Sequence, residues 1–259
     1  LRNRFDAGLR QKAREMGVSY FNGLIDTIST SQDGFEVDFK RKEPYLPPNL
    51  TARFLVDASG RANAVLRQLK VERNFFEEQM AAFCWVNDDS EDTLTRVKTV
   101  KDGWWYSSVL PNKKRVIAFH GVSPVVAVFV RDSASFLREF AKSGTIETEF
   151  SVEAIFEAVQ ARDASVSKAS EIFGQNWIAI GDAACAMDPI TSQGIFHAIY
   201  TGIRGAEAIV QSLNGEKTAL SNFSNAVARV FDTNQSLRMH HYTQELRFTE
   251  NPYWKQYFK

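Results

Sequence analysis

Apolar residues recur along this chain with two periods, one helical and one alternating, and the switches between them outline its elements. Phe5, Leu9, Ala13 and Met16 stand at helical spacing and predict an amphipathic helix stopped by Gly17. Residues 18–28 read as strand and connection. Asp33-Gly34 is a hairpin turn signal, after which Phe35, Val37 and Phe39 alternate with Glu36, Asp38 and Lys40 as on a half-buried strand. Pro44, Pro47 and Pro48 mark a loop. The short apolar run at 53–56 predicts another strand, ending in Asp57-Ala58-Ser59-Gly60-Arg61 before a helix-like segment with Ala64, Val65, Leu66 and Leu69. Further strands are predicted at 80–86, 93–100, 104–109 and 116–119, with turns at Asp102-Gly103 and Pro111-Asn112. Phe136, Leu137 and Phe140, then Ile155, Phe156 and Val159, read as helical. Beyond residue 210 the pattern is helical almost to the end, through Phe223, Val227, Val230 and Phe231, with a polar aromatic stretch from His240 and then Trp254.

The stretch 177–210 organises the rest. Trp177, Ile178, Ala179 and Ile180 form a continuous apolar run, which suits a strand covered on both faces. Gly181 and Asp182 end it and place a carboxylate at the strand's carboxyl edge, where open α/β sheets bind their ligands. Pro189 forces a turn, Thr191 or Ser192 can cap, and Gly194 lets the backbone approach a ligand closely. Ile195, Ile199, Ile203, Ala206 and Val210 then recur at helical spacing, so this face is expected to pack on the sheet. Free amides at that helix start favour an anion by roughly 0.3–1 kcal/mol at an exposed site.

Two strand–acid–glycine junctions, at Asp57 and Asp182, stand far apart in sequence. They predict one α/β domain interrupted by an insertion: residues 1–70 and 162–212 form the first, residues 71–161 an antiparallel sheet carrying helices, and residues 213–259 a helical end. A length of 259 residues can bury the core this needs. Lys plus Arg equals Asp plus Glu at 31 each, so no net field draws nucleic acid or an anionic membrane. No apolar run approaches the roughly 20 residues that span a bilayer. The two cysteines, Cys84 and Cys185, provide no disulfide framework and fit a reducing, cytoplasmic setting, with Cys185 read as a small buried apolar residue. The four histidines show no metal-ligand spacing, so no metal is expected. Lys113-Lys114-Arg115 reads as a solvated turn.

Gly181-Asp182-Ala183-Ala184, followed by Asp188-Pro189 and Gly194-Ile195, resembles the flavin-contacting motif of FAD-dependent aromatic monooxygenases and flavin-dependent halogenases. Leu55-Val56-Asp57-Ala58-Ser59-Gly60-Arg61 resembles the second FAD motif of that superfamily, and Arg4-Phe5-Asp6 with Leu9-Arg10 the helix before it. Gly103-Trp104-Trp105-Tyr106-Ser107 with Leu110-Pro111 is similar to the substrate-domain hairpin of the halogenase-like branch, which includes tryptophan-modifying flavoproteins of quinone-cofactor maturation. The resemblance implies an FAD-binding Rossmann-like fold with an inserted substrate domain. It also implies that Asp182 bonds a ribityl hydroxyl and that Pro189, Ser192, Gln193, Gly194 and Ile195 lie along the flavin ring. Gly181 and Asp188 flank that contact, Asp57, Gly60 and Arg61 sit close to the dinucleotide, and Arg4 reaches its phosphates. Trp104, Trp105 and Tyr106 are equally readable as sheet packing or as the lining of an aromatic substrate pocket.

Two departures shape the functional expectation. The superfamily's phosphate-cradling G-x-G-x-x-G is absent, so the chain is expected to be the C-terminal majority of a longer flavoprotein, with that loop on a preceding segment or another chain. The halogenase W-x-W-x-I-P signature is absent too, which favours hydroxylation. The resemblance thus implies an oxidoreductase of the monooxygenase type, supplied with electrons by NAD(P)H or a separate flavin reductase. It would hydroxylate an aromatic small molecule, tryptophan or a tryptophan within a protein or peptide through a flavin C4a-hydroperoxide. No catalytic side chain is singled out. A flavin-dependent halogenase, or a non-catalytic fragment or interaction module keeping the fold, are the alternatives.

Overall fold

The computed structural model describes residues 2–32, 34–40, 47, 49–155 and 157–258. Its elements begin with α1 (Arg2–Glu15), β1 (Ile25–Ser31), β2 (Gly34–Phe39), β3 (Asn49–Ala52), β4 (Leu55–Asp57), α2 (Ala64–Gln68) and β5 (Arg73–Phe75). There follow β6 (Met80–Asn87), β7 (Arg96–Val100), β8 (Gly103–Leu110), β9 (Lys114–Gly121), α3 (Ser123–Arg131), α4 (Ser133–Ser143) and β10 (Gln160–Asp163). The last part holds β11 (Ser167–Ala169), β12 (Phe173–Gly174), β13 (Trp177–Ala179), β14 (Cys185–Ala186), α5 (Gly194–Leu213), α6 (Ala219–Tyr242) and α7 (Pro252–Lys255). Among the expected turns and loops, Asp33, Pro44 and Pro48 lie outside the described residues.

Three short sheets surround one core. β4 and β13 pair in parallel, Val56 opposite Ile178 and Asp57 opposite Ala179, and β12 adds antiparallel on the far side of β13. A small antiparallel sheet runs β14-β11-β5, and β1-β2-β3 form a meander. Trp177, Ile178 and Ala179 are all buried, as a continuous apolar run requires. α5 lies close against β13. A side chain at Gly205 would put its Cβ 2.9 Å from Ile178 Cδ1 and 3.1 Å from Ile180 Cγ2, so glycine here is a packing requirement.

Residues 80–163 build a five-stranded antiparallel sheet in the order β10-β6-β9-β8-β7. Side chains alternate across β8, so Trp104 and Trp105 enter different cores. Trp105 is enclosed by Phe119, Phe129, Phe136 and Phe140, at ring separations of 5.0–5.6 Å, under α3 and α4. Trp104 joins Tyr242, Tyr253, Trp254 and Tyr257, so the C-terminal tail folds back onto the sheet.

Two local expectations are corrected, and one helix is added. Ile155 and Val159 belong to no helix: Ile155 bridges to Val86, and the next residues form β10 against β6, while Phe156 lies outside the described residues. α3 is rich in Val, which favours strands, yet Pro124 at its start and the buried pair Val126 and Phe129 make it an amphipathic helix. The basic turn is solvated only in part. Arg115 is 1% exposed; its Nε pairs with Asp88 at 2.7 Å, Nη1 donates to the Ser107 hydroxyl at 2.9 Å, and Nη2 lies 3.3 Å from Asp92. A buried guanidinium of this kind is tolerable only with such partners.

Candidate functional site

The parallel pairing of β4 and β13 carries the two junctions to one edge, since Asp57 and Ala179 are in register. The two acids there do different work. Asp57 is fully buried: Oδ1 accepts from the Ser59 amide and hydroxyl at 2.9 and 2.6 Å, and Oδ2 from the Val65 and Leu66 amides at 3.1 and 2.9 Å. Its carboxylate is therefore enclosed within the protein, and it acts by fixing the 59–66 turn and the start of α2. Gly60, at φ +65°, is the part of that turn that meets open space. Arg61 crosses from one junction to the other, donating to the Ser165 carbonyl at 2.6 Å and to Asp163 at 3.1 Å, with Nε 3.6 Å from Asp182 Oδ2.

Asp182 remains available. Its side chain is a third exposed and borders a cleft of about 760 Å³ between α1 and α5. Gly60, Gly181, Gly194 and Ile195 line one side of this cleft, and Phe5 and Leu9 of α1 the other. Arg4 is exposed on α1 and does not line it. Arg73, which nothing in the sequence pattern singled out, rivets the second junction by donating to the carbonyls of Asp182 at 2.7 Å and Ala183 at 3.0 Å. It also donates to Asn63 Oδ1 at 2.7 Å and Ser167 Oγ at 2.9 Å.

The loop from Asp188 leads to Gly194, which lines the cleft. Asp188 is buried, and its Oδ1 accepts from the Ile190 amide at 2.9 Å, capping the turn Pro189–Thr191. Ser192 takes φ +54°, and α5 begins behind it with no side-chain cap. Neither Thr191 nor Ser192 caps the helix. The Thr191 hydroxyl instead donates to the Asp188 carbonyl at 2.9 Å and accepts from Asn234 Nδ2 at 2.8 Å. A Cβ at Gly194 would meet nothing within 4 Å.

α5 also reverses its expected orientation. Ile195, Ile199 and Ile203 are 52%, 44% and 57% exposed and border the cleft, whereas His197, Thr201, Gly205 and Ala208 face the sheet. The small face packs because close approach to β13 leaves no room for isoleucine, and Thr201 Oγ1 accepts from the Gly181 amide at 2.8 Å.

These features together suit a flavin cofactor: an uncapped helix start, glycine positions open to solvent, a partly exposed carboxylate and an apolar wall. A second hollow, of about 350 Å³, lies between α5 and α6 and shares Gln193 with the same loop; Met187, Phe196, Tyr200, Val230 and Leu237 line it. Trp104 and Trp105 border neither space, being packed in the two cores, and Tyr106 is half-buried beside the first of them. Trp105 adjoins only a separate hollow of about 220 Å³ under α3. Cys185 is buried 3.3 Å from His197 Nε2, and burial pushes its thiol up to about 12, so it stays protonated. Among the described residues no three His, Cys, Asp or Glu side chains gather as a metal ion requires, and no helix is long and apolar enough to cross a membrane.

Behind the loop, one buried polar cluster escaped the sequence reading. Arg238 of α6 donates to Glu77 Oε2, and its Nε lies 3.4 Å from Asp188 Oδ2. Tyr257 donates to Glu77 at 2.8 Å, Tyr253 to Gln79 at 2.6 Å, and Tyr242 to Asp188 at 3.0 Å. Trp104 Nε1 donates to Tyr242 at 2.9 Å. Single acids and aromatics scattered over 161–180 positions of sequence carry no periodic signal.

Comparison with known proteins agrees with this architecture. Residues 2–258 match the family model for tryptophan halogenase. The chain is 30% identical, over 227 residues, to the 1H-pyrrole-2-carbonyl-[peptidyl-carrier protein] brominase of Pseudoalteromonas luteoviolacea (strain 2ta16), covering 83% of this chain and 55% of that one. The structure superposes on the peptidyl tryptophan dihydroxylase QhpG with a TM-score of 0.81 at 23% identity, over 99% of this chain and 58% of that one. CmlS, a flavin-dependent halogenase, gives 0.82 at 16% identity over 98% and 48%. The chain thus spans about half the length of these relatives. On the match across nearly all its residues, it belongs to the tryptophan halogenase family.

Proposed function

We propose that the protein containing this chain is an FAD-dependent monooxygenase that hydroxylates an aromatic substrate. The observation that carries this reading is the pair of spaces flanking one helix start, the 760 Å³ cleft at Asp182 and the 350 Å³ hollow beyond Gln193. Asp182 would accept a hydrogen bond from a ribityl hydroxyl, and the amides at Gly194 and Ile195 would face the electron-rich edge of the ring. Bound and reduced by NAD(P)H or a separate flavin reductase, FAD supplies the activation of oxygen. The protein's part is positional. Ile195, Ile199 and Ile203 keep water from the cleft, Arg61 and Arg73 hold the Asp182 loop in place, and Phe196 and Tyr200 offer flat apolar surface to a ring. The free edge of β4 and the outward stripe of α5 suit a further strand and helix bringing the phosphate-binding loop, from the same polypeptide or another.

Similarity to a peptidyl tryptophan dihydroxylase supports tryptophan, free or within a peptide, as the substrate, and the lack of W-x-W-x-I-P supports hydroxylation. The 30% identity to a brominase favours a second reading, halogenation. Mass spectrometry separates them. Given reduced flavin, oxygen, bromide and either tryptophan or a tryptophan-containing peptide, the full-length protein is expected to yield a product heavier by one oxygen. Bromide incorporation in its place would overturn the proposal.

A further inference from the structure

We infer that Glu77 is a positioning residue for the 188–194 loop: it holds a buried proton against Asp188, and loss of that proton loosens the loop. Three charged groups meet in this cluster, the carboxyls of Glu77 and Asp188 and one guanidinium, Arg238, with side chains 1%, 0% and 7% exposed. With both acids ionised the cluster would carry an uncompensated negative charge away from water, a cost that buried groups avoid by taking up a proton. The remaining titratable neighbours supply no second cation. Tyr242 on α6 and Tyr257 on the tail donate to the acids as neutral hydroxyls, and Tyr253 donates to the neutral Gln79. His120, which stacks on Trp104 at 4.0 Å, is neutral because burial lowers it to about 3.

Hydrogen bonding places the proton. Both carboxyls sit against the same guanidinium, Glu77 Oε2 accepting from Arg238 and Asp188 Oδ2 lying 3.4 Å from its Nε, so one proton on the pair removes the excess charge. Burial raises Asp188 as well, but the Ile190 amide, Arg238 and Tyr242 all act on it to favour the charged form. Glu77 Oε1 is buried with no hydrogen-bond partner, so negative charge on this carboxyl is less well served than on Asp188 and the proton belongs here. Burial, opposed by Arg238 and reinforced by Asp188, raises Glu77 to about 7. The link to the site is short. Asp188 caps the Pro189–Thr191 turn, and α5 starts three residues beyond the end of that turn at the edge of the cleft.

A group raised in the folded state stabilises the fold fully below its unfolded value, 4.5, and loses that contribution as pH rises through about 7. Between pH 6 and 8.5 the unfolding equilibrium constant should therefore increase roughly tenfold through this one proton. The test uses the full-length protein, wild type and Glu77→Gln, whose amide can donate to Asp188 at every pH. Expected are a wild-type urea midpoint that falls between pH 6 and 8.5 and a midpoint in Glu77→Gln with that portion of the slope removed. Identical slopes in the two proteins would overturn the inference. Infrared spectra need no variant: a protonated carboxyl band present at pH 6 and lost by pH 9 is expected, and its absence at pH 6 would equally overturn it. FAD affinity measured alongside rests on the proposed cofactor site. Affinity that weakens with pH in wild type alone supports the coupling to the loop. A pH-independent affinity would overturn that coupling, and no FAD binding at any pH, with the stability slopes as expected, would reject the cofactor reading while leaving the proton on Glu77.

Discussion

Asp57 and Asp182 occupy equivalent places at the ends of two paired strands, yet a substitution at each should be read out differently. Removing the Asp57 carboxylate strands the buried amides of Val65 and Leu66 together with the Ser59 donors, so Asp57→Ala should lower stability by about 2–4 kcal/mol in urea unfolding. At Asp182, a third exposed, alanine should leave the unfolding midpoint nearly unchanged, because only the peripheral pair with Arg61 is lost. Its effect belongs to the cofactor. Both acids were legible in the sequence as strand-end carboxylates. Their division of labour was not, because it depends on α2 turning its first amides back onto Asp57, a contact that no local pattern announces. Arg73, Glu77 and Arg238 were illegible for a similar reason: each earns its role from partners that are distant in sequence.

α5 shows how an element can be recognised and still be turned the wrong way. Its length and amphipathic period were clear, and the stripe of Ile195, Ile199 and Ile203 pointed to a packed face. Packing chose the opposite face, with Gly205 against Ile178 and Ile180 and Thr201 at the Gly181 amide. Gly205→Ala should therefore be destabilising by about 1–3 kcal/mol through overpacking, although alanine is the better helix former by about 1 kcal/mol. A stabilised variant in thermal melts would show that α5 can move away from β13. Strand positions in the antiparallel sheet were readable from alternation and turn residues. The helix at 123–131 and the strand at 160–163 were not, since valine-rich helices and short paired segments are decided by their neighbours.

For the molecule as a whole, three features are exposed: the edge of β4, which pairs with no further strand among the described residues, the isoleucine stripe of α5 and the apolar side of α1 with Phe5 and Leu9. The chain spans about half the length of its relatives. On the proposed reading, in which a further segment brings the phosphate-binding loop, residues 1–259 alone should bind FAD more weakly than a longer protein containing them, a comparison that equilibrium dialysis can make. The order of motifs made the flavin-type fold legible in the sequence, since Asp57-to-Arg61 and Gly181-to-Ile195 carry the resemblance and stand at the ends of β4 and β13. The shape of the spaces around them came only with the packed structure. The most direct measurement is a flavin titration of the full-length protein and its Asp182→Ala variant, followed by absorbance and fluorescence. Loss of a hydrogen bond to a charged acceptor, about 1.5–3 kcal/mol, predicts FAD binding weakened roughly 10- to 150-fold with the fold intact. Equal affinity in the two proteins, or a wild-type protein that stays colourless, would contradict the assignment of this cleft to the cofactor.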